Sequence, residues 1–140
     1  MNFLLKGTPY IYQGQEIGMT NAYYTKLSDY QDIDSLGNYE DKVVNKKLIS
    51  ETRMLRGLQR GSRDNGRTPM HWDNSVNAGF NKGAKTWLKV IPNYKEVNVK
   101  NALADKDSVL YTYKDIFEFR KNSEYTETIL EGSYDTYLEE

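Results

Sequence analysis

The side chains in this sequence with the most chemical potential are two arginines, Arg63 and Arg67, four residues apart in the segment SRDNGRTPMHW, and the acid Asp34 upstream of them. A guanidinium presents a rigid, planar fork of donors that can hold a carboxylate and a ligand hydroxyl at once. That suits holding a ligand in place rather than breaking a bond. The structural alternative for Arg63 is an ordinary loop salt bridge. Arg67 either reaches a ligand or locks the Thr68-Pro69 turn, and Asp34 is either a ligand contact or a solvated loop acid. Gln13, Gln15 and Glu16 follow a short apolar run and can bond to backbone or touch a ligand directly. Trp72 and Trp87 offer indole faces for stacking, or they pin the loop that carries them. His71 is the sole histidine, so a multi-histidine metal site is excluded, and in a polar turn it reads as a hydrogen-bonding residue. The absence of cysteine removes disulfides, thiolate metal sites and thiol nucleophiles. No metal or cofactor is expected.

The elements that must position these groups come from a chain of 140 residues, of which 38% are apolar and 28% charged, with 12 tyrosines supplying most of the aromatic rings. Such a composition makes a thin, partly polar core. Nineteen basic and twenty acidic residues are intermixed, leaving no basic stripe for nucleic-acid phosphates or anionic lipid. The apolar start, Met1 to Lys6, is too short for a signal peptide or a membrane span, which together with the lack of cysteine suits the cytoplasm.

Asn2 to Lys6 reads as the last turn of a helix, stopped by Gly7 and Pro9. Tyr10-Ile11-Tyr12 then reads as a strand buried on both faces. The long middle is irregular by pattern, with helical stretches at Ser35 to Val44 and Ser50 to Gln59; Ser50 caps the second, whose Met54, Leu55 and Leu58 share a face. Between Arg63 and Trp87 turn residues alternate with bulky anchors, which marks ordered turns. A clearer helix begins with Asp107 as N-cap, carries Leu110, Tyr113 and Phe117 at helical spacing, and closes on Arg120 and Lys121. Tyr134 to Leu138 alternates like one strand of a half-buried sheet.

Gly7 to Asn21 (GTPYIYQGQEIGMTN), Ser62 to Trp72, Asn77-Ala78-Gly79-Phe80 and Ile91 to Leu103 (IPNYKEVNVKNAL) together resemble the oligo-1,6-glucosidase and α-glucosidase branch of the α-amylase family of glycoside hydrolases. The resemblance runs in order through nearly the whole chain. It implies an α/β fold: the C-terminal portion of a (β/α)₈ TIM barrel, with the end of helix 7, strand 8, a long loop 8 and helix 8, followed by the first strand of a C-terminal β-sandwich. Residues 1–123 would belong to the barrel and residues 124–140 to the β-domain. In such barrels the loops after the strands build the active site.

Members of this branch are retaining enzymes with one carboxylate nucleophile and one acid/base carboxyl group. The resemblance places both before Met1, so this chain is expected to be an inactive fragment that needs the missing barrel sequence. Gly61-Ser62-Arg63-Asp64-Asn65 superficially matches the family pattern Gly-x-Arg-x-Asp, but Asn65 stands at the aspartate position and Asp64 takes no catalytic role. The resemblance also implies that Arg63 closes the bottom of a glucose pocket beside an aspartate from an early barrel loop. By the same alignment Arg67 reaches the leaving-group sugar, Asp34 replaces a family glutamate that contacts the sugar beyond the scissile bond, and His71 stands where relatives often carry glutamine. The expected substrate is a short oligosaccharide of the isomaltose type, with hydrolysis of a terminal α-1,6- or α-1,4-glucosidic bond. Two alternatives stay open: trehalose-6-phosphate hydrolase, which shares these motifs, and a free-standing carbohydrate-binding module without catalysis.

Overall fold

The computed structural model of the chain describes residues 2–83, 85–133 and 135. Those residues form helices and turns joined by irregular segments, and among them there is no strand. They divide into two units, Met19–Asn101 and Met1–Gly18 with Ala102–Glu140.

In the Met19–Asn101 unit, helix α1 (Ile33–Tyr39) starts two residues earlier than the apolar pattern suggests, because Asp32 caps it and accepts a bond from the Ser35 N–H. The chain then widens into a π-helical turn over Glu40–Asn45. Helix α2 (Glu51–Gly61) conforms closely to its sequence signals: the Ser50 hydroxyl accepts from Arg53 N, and Met54 and Leu58 are buried. Those two side chains pack with Ala22, Tyr24, Tyr30 and Ile91, while Leu36, Tyr39, Val43 and Leu55 flank the cluster. Each large aliphatic side chain buried in this way stabilises by about 1.5–3 kcal/mol. The two tyrosines satisfy their hydroxyls on backbone, Tyr24 donating to Lys89 O at 2.7 Å and Tyr30 to Tyr24 O at 3.2 Å.

Side-chain amides hold the rest of this unit. Asn65 donates to the carbonyls of Leu58 and Gln59 at the end of α2 and accepts from Ala22 N, and buried Asn98 donates to Tyr94 O and caps the Asn101 N–H. The 72–83 loop turns through Asn77, Ala78 and Gly79, all with positive φ; a Cβ at Gly79 would lie 2.7 Å from the Asp73 carboxylate, so this position needs glycine on two counts. Helix α3 (Val99–Ala104), too short and polar to be read from periodicity, closes the segment.

In the other unit, helix α4 (Val109–Asn122) carries the expected stripe, and the ring of Phe3 packs edge-on against Tyr113 at 5.2 Å and Phe117 at 6.0 Å. Its N-cap is Ser108 rather than Asp107; the Asp107 N–H is taken by the Asp105 carboxylate, and the Ser108 hydroxyl bonds to Ala102 O. Arg120 is buried and donates to the carbonyls of Phe3, Leu5 and Gly7, so its charge serves the short 3₁₀ turn Asn2–Leu4 and the residues just after that turn rather than the end of its own helix. Gly7, with φ 107°, lets the chain leave that turn. A further short helix, α5 (Thr126–Glu131), comes after α4.

The expected strand at Tyr10-Ile11-Tyr12 is not formed among the described residues, and Tyr10 is 87% exposed. A strand is made by the ladder of its neighbours, and none of the described residues supplies one. The expected strand at Tyr134 to Leu138 lies, but for Asp135, outside the described residues. No described helix is long and apolar enough to cross a membrane.

Candidate functional site

The turn after α2 places the arginines. The Ser62 hydroxyl accepts from Asp64 N at 3.3 Å and starts a 3₁₀ turn over Arg63–Gly66, which sets Arg63 and Arg67 about one turn apart. Opposite them stands the N-terminus of α1. Arg63 Nε donates to Asp32 Oδ1 at 2.9 Å, and Arg63 Nη2 bonds to Asp34 Oδ2. Arg67 Nη1 donates to the same Asp32 oxygen at 3.3 Å and lies 3.7 Å from Asp64 Oδ1. The result is an alternating row, Asp34, Arg63, Asp32, Arg67, Asp64, running from an acid that is 71% exposed to one that is 0% exposed.

Asp64 is structural, as its buried position requires. Its Oδ2 accepts the N–H groups of Gln31 at 2.7 Å and Asp32 at 2.9 Å, which fixes the chain entering α1. Asp32 Oδ2 accepts from the Ser35 N–H at 3.1 Å and the Ser35 hydroxyl at 2.8 Å, and that hydroxyl meets the Ser62 hydroxyl at 2.9 Å. Burial pushes the Asp32 carboxyl up, but the bonds from Ser35 and the charge and bond of Arg63 outweigh it, holding it below the ordinary 3.8.

The sequence-derived trio Arg63, Arg67 and Asp34 therefore comes together, joined through a residue that motif reading passed over. Asp32 and Asp34 look equivalent in Asp32-Ile33-Asp34; the signal that separates them is the Asp-x-x-Ser spacing to Ser35, a helix N-cap pattern. Both arginines keep donors free. Among the described residues Arg63 Nη1 and Arg67 Nε and Nη2 have no bond, and the Arg63 side chain is 56% exposed. Beside Arg63 lies a cleft of about 450 Å³ between α1 and α2, lined by Asp34, Asn38, Lys42, Gly57, Gly61 and Arg63.

The remaining candidates lie elsewhere. Gln13, Gln15 and Glu16 belong to the other unit, where Gln15 Oε1 accepts from Tyr12 N and Glu16 lines a groove along α4 with one buried carboxylate oxygen unbonded. Trp72 and Trp87 keep their indoles on the surface, so neither pins its loop by burial; the backbone N–H and C=O of Trp72 bond to Ala78 and Lys100 instead. His71 does form a hydrogen bond, Nδ1–H to Val97 O at 2.8 Å, but in the interior rather than in a wet turn, with Nε2 unbonded and Tyr94 edge-on at 6.2 Å. No group of three or more acids or histidines among the described residues is placed to hold a metal ion.

The chain is similar to known proteins over most of its length. The chain is 47% identical over 136 residues to the oligo-1,6-glucosidase of Bacillus cereus, covering 97% of this chain and 24% of that protein. It is 53% identical over 117 residues to the alpha-glucosidase of Pediococcus pentosaceus, covering 84% and 21%. The crystal structure of the trehalose-6-phosphate hydrolase of Bacillus licheniformis superposes with a TM-score of 0.85 at 42% identity, covering 95% of this chain and 23% of that one. The chain thus spans about a quarter of the length of these proteins. The catalytic domain of alpha amylase, as a family, matches residues 1–129, and with that match and these identities the chain belongs to the α-amylase family of glycoside hydrolases, in its oligo-1,6-glucosidase and α-glucosidase branch.

Proposed function

We propose that this chain is the part of a retaining α-glucosidase that lines the sugar pocket, with Arg63, Arg67 and Asp34 contacting a short oligosaccharide whose terminal α-1,6- or α-1,4-glucosidic bond is cut. The nucleophile and the acid/base carboxyl group are not among its residues, so the 140-residue chain binds without turnover. In this reading residues 1–123 are the C-terminal part of a cytoplasmic (β/α)₈ barrel, with 9–13 as its eighth strand and α4 as its eighth helix, and residues 124–140 begin a β-domain. The strand forms only when neighbouring strands are present.

One observation carries the reading: Arg63 and Arg67 share the Asp32 carboxylate, and Arg63, on the wall of an open cleft, still presents an uncommitted Nη1 among the described residues. Paired donors at fixed spacing match vicinal hydroxyls, and Asp34 supplies an acceptor next to them. Titration of the chain with isomaltose, monitored by two-dimensional NMR, should shift the side-chain signals of Arg63 and Arg67. Arg63→Ala should abolish those shifts, and no glucose should appear. Release of glucose by the chain alone, or unchanged binding by the Arg63→Ala variant, overturns the proposal.

Trehalose 6-phosphate is the second substrate to test, favoured by the likeness to the trehalose-6-phosphate hydrolase and by Lys42, a cation on the wall of the same cleft. Tighter binding of trehalose 6-phosphate than of trehalose, lost in Lys42→Ala, would select it.

A further inference from the structure

The geometry points to Asp32 as the positioning residue of this pocket, using one carboxylate oxygen to build α1 and the other to hold the guanidinium groups of Arg63 and Arg67 side by side. The inference rests on the sugar-pocket reading for its function, though not for its geometry. Asp32 is almost fully buried, whereas Arg63 is more than half exposed. An exposed arginine samples many rotamers, and ordering it on binding a ligand costs side-chain entropy. A shared anchor behind both guanidinium groups removes that cost in advance.

The anchor is itself fixed from three directions. Asp64 accepts the Asp32 N–H at 2.9 Å while its other oxygen faces Arg67, so Asp32, Arg67 and Asp64 form a closed ring. Ser35 occupies Asp32 Oδ2 and ties it to Ser62, the residue that starts the arginine turn. Helix start and arginine turn therefore share one carboxylate, and α1 cannot shift without moving both arginines. Surface salt bridges of long side chains contribute little by themselves; here the buried end of the pair is what gives direction to the exposed end.

Asp32→Asn separates the two roles. Asparagine caps helices as well as aspartate does, so its carbonyl keeps the bonds from Ser35. Its NH₂ then faces the two guanidinium groups, donor against donor. In the full 140-residue chain, the Arg63 Nε–H signal of the parent should be resolved and slow to exchange with water, and in Asp32→Asn it should merge with those of free arginines, while the amide signals of Ser35 and Arg53 stay in place. Isomaltose, used as the probe, should bind roughly tenfold more weakly. Asp32→Ser, which caps α1 but cannot reach the arginines, should behave alike and guards against misfolding of the first variant. An unchanged Arg63 Nε–H signal in both variants overturns the positioning role. If that signal is lost but Arg63→Ala leaves isomaltose binding intact, the positioning role stands and the sugar-pocket reading falls.

Discussion

At the scale of single residues, burial sets the chemistry of His71. The imidazole is enclosed and neutral, with burial pushing its pKa below the ordinary 6.5 more than the bond to Val97 raises it. A proton is therefore taken up more readily by the unfolded chain than by the folded one. Stability from this residue is fully present above pH 6.5 and is lost as pH falls below it towards the folded value. His71→Gln should flatten that slope: between pH 7.5 and 5.5 the urea midpoint of the parent should fall more than that of the variant. Equal falls would remove His71 as the source. Asp32 adds a second acid limb lower down, because its depressed carboxyl contributes stability that is present above the ordinary carboxylate range and disappears as pH drops through and below 3.8. At Gly79, alanine would meet the Asp73 carboxylate and a backbone with φ +68°, so Gly79→Ala should destabilise by about 1–3 kcal/mol, read as a lowered urea midpoint at constant m-value; a neutral effect would mean the loop re-forms without that turn.

At the scale of elements, α2 and its cleft can be tested through Gly57. This glycine sits in the interior of α2, and a Cβ there would meet nothing within 4 Å. Gly57→Ala should stabilise by about 0.5–1 kcal/mol, the helix-propensity difference, and a fall in thermal midpoint would show that the cleft is tighter than it looks. Gly57→Phe, at the same open position, should fill the cleft and block isomaltose without unfolding the chain. α2 was legible because its cap, its apolar spacing and its length all agree. α1 was half legible: its apolar residues give the body, but its start is set by Asp32, and its end by the shift to a π turn that no periodicity announces. Asp107 and Ser108 are both good caps by residue type, so pattern alone does not choose between them, and the helix starts after Ser108. The arginine pair was visible from Ser62 to Trp72, whereas the hub beneath it was not, since a motif records residue types and the hub depends on which of two aspartates is buried. The strand at Tyr10 to Tyr12 is not formed among the described residues, since β-branched and aromatic residues suit a ladder without supplying its other strand.

At the scale of the whole molecule, the two units differ in what holds them. Met19–Asn101 encloses a cluster of buried apolar side chains with satisfied tyrosine hydroxyls. In the unit of Met1–Gly18 and Ala102–Glu140, the only large apolar side chain buried among the described residues is Ile17, and the inward polar group is Arg120 on three carbonyls. Local opening takes least free energy where few apolar contacts are lost, so amides of Tyr113 to Phe117 should exchange with deuterium well before those of Met54, Leu58 and Ser62. Arg120→Leu should widen that gap. Leucine makes none of the three bonds, which leaves the carbonyls of Phe3, Leu5 and Gly7 without their donor and frees the ring of Phe3 from Tyr113 and Phe117. Exchange in α4 should then speed up at least tenfold, the equivalent of about 1.4 kcal/mol, with exchange in α2 unchanged. If instead both helices lose protection together, the chain opens as one cooperative body, and the division into a stable sugar-facing unit and a weaker helical unit is wrong.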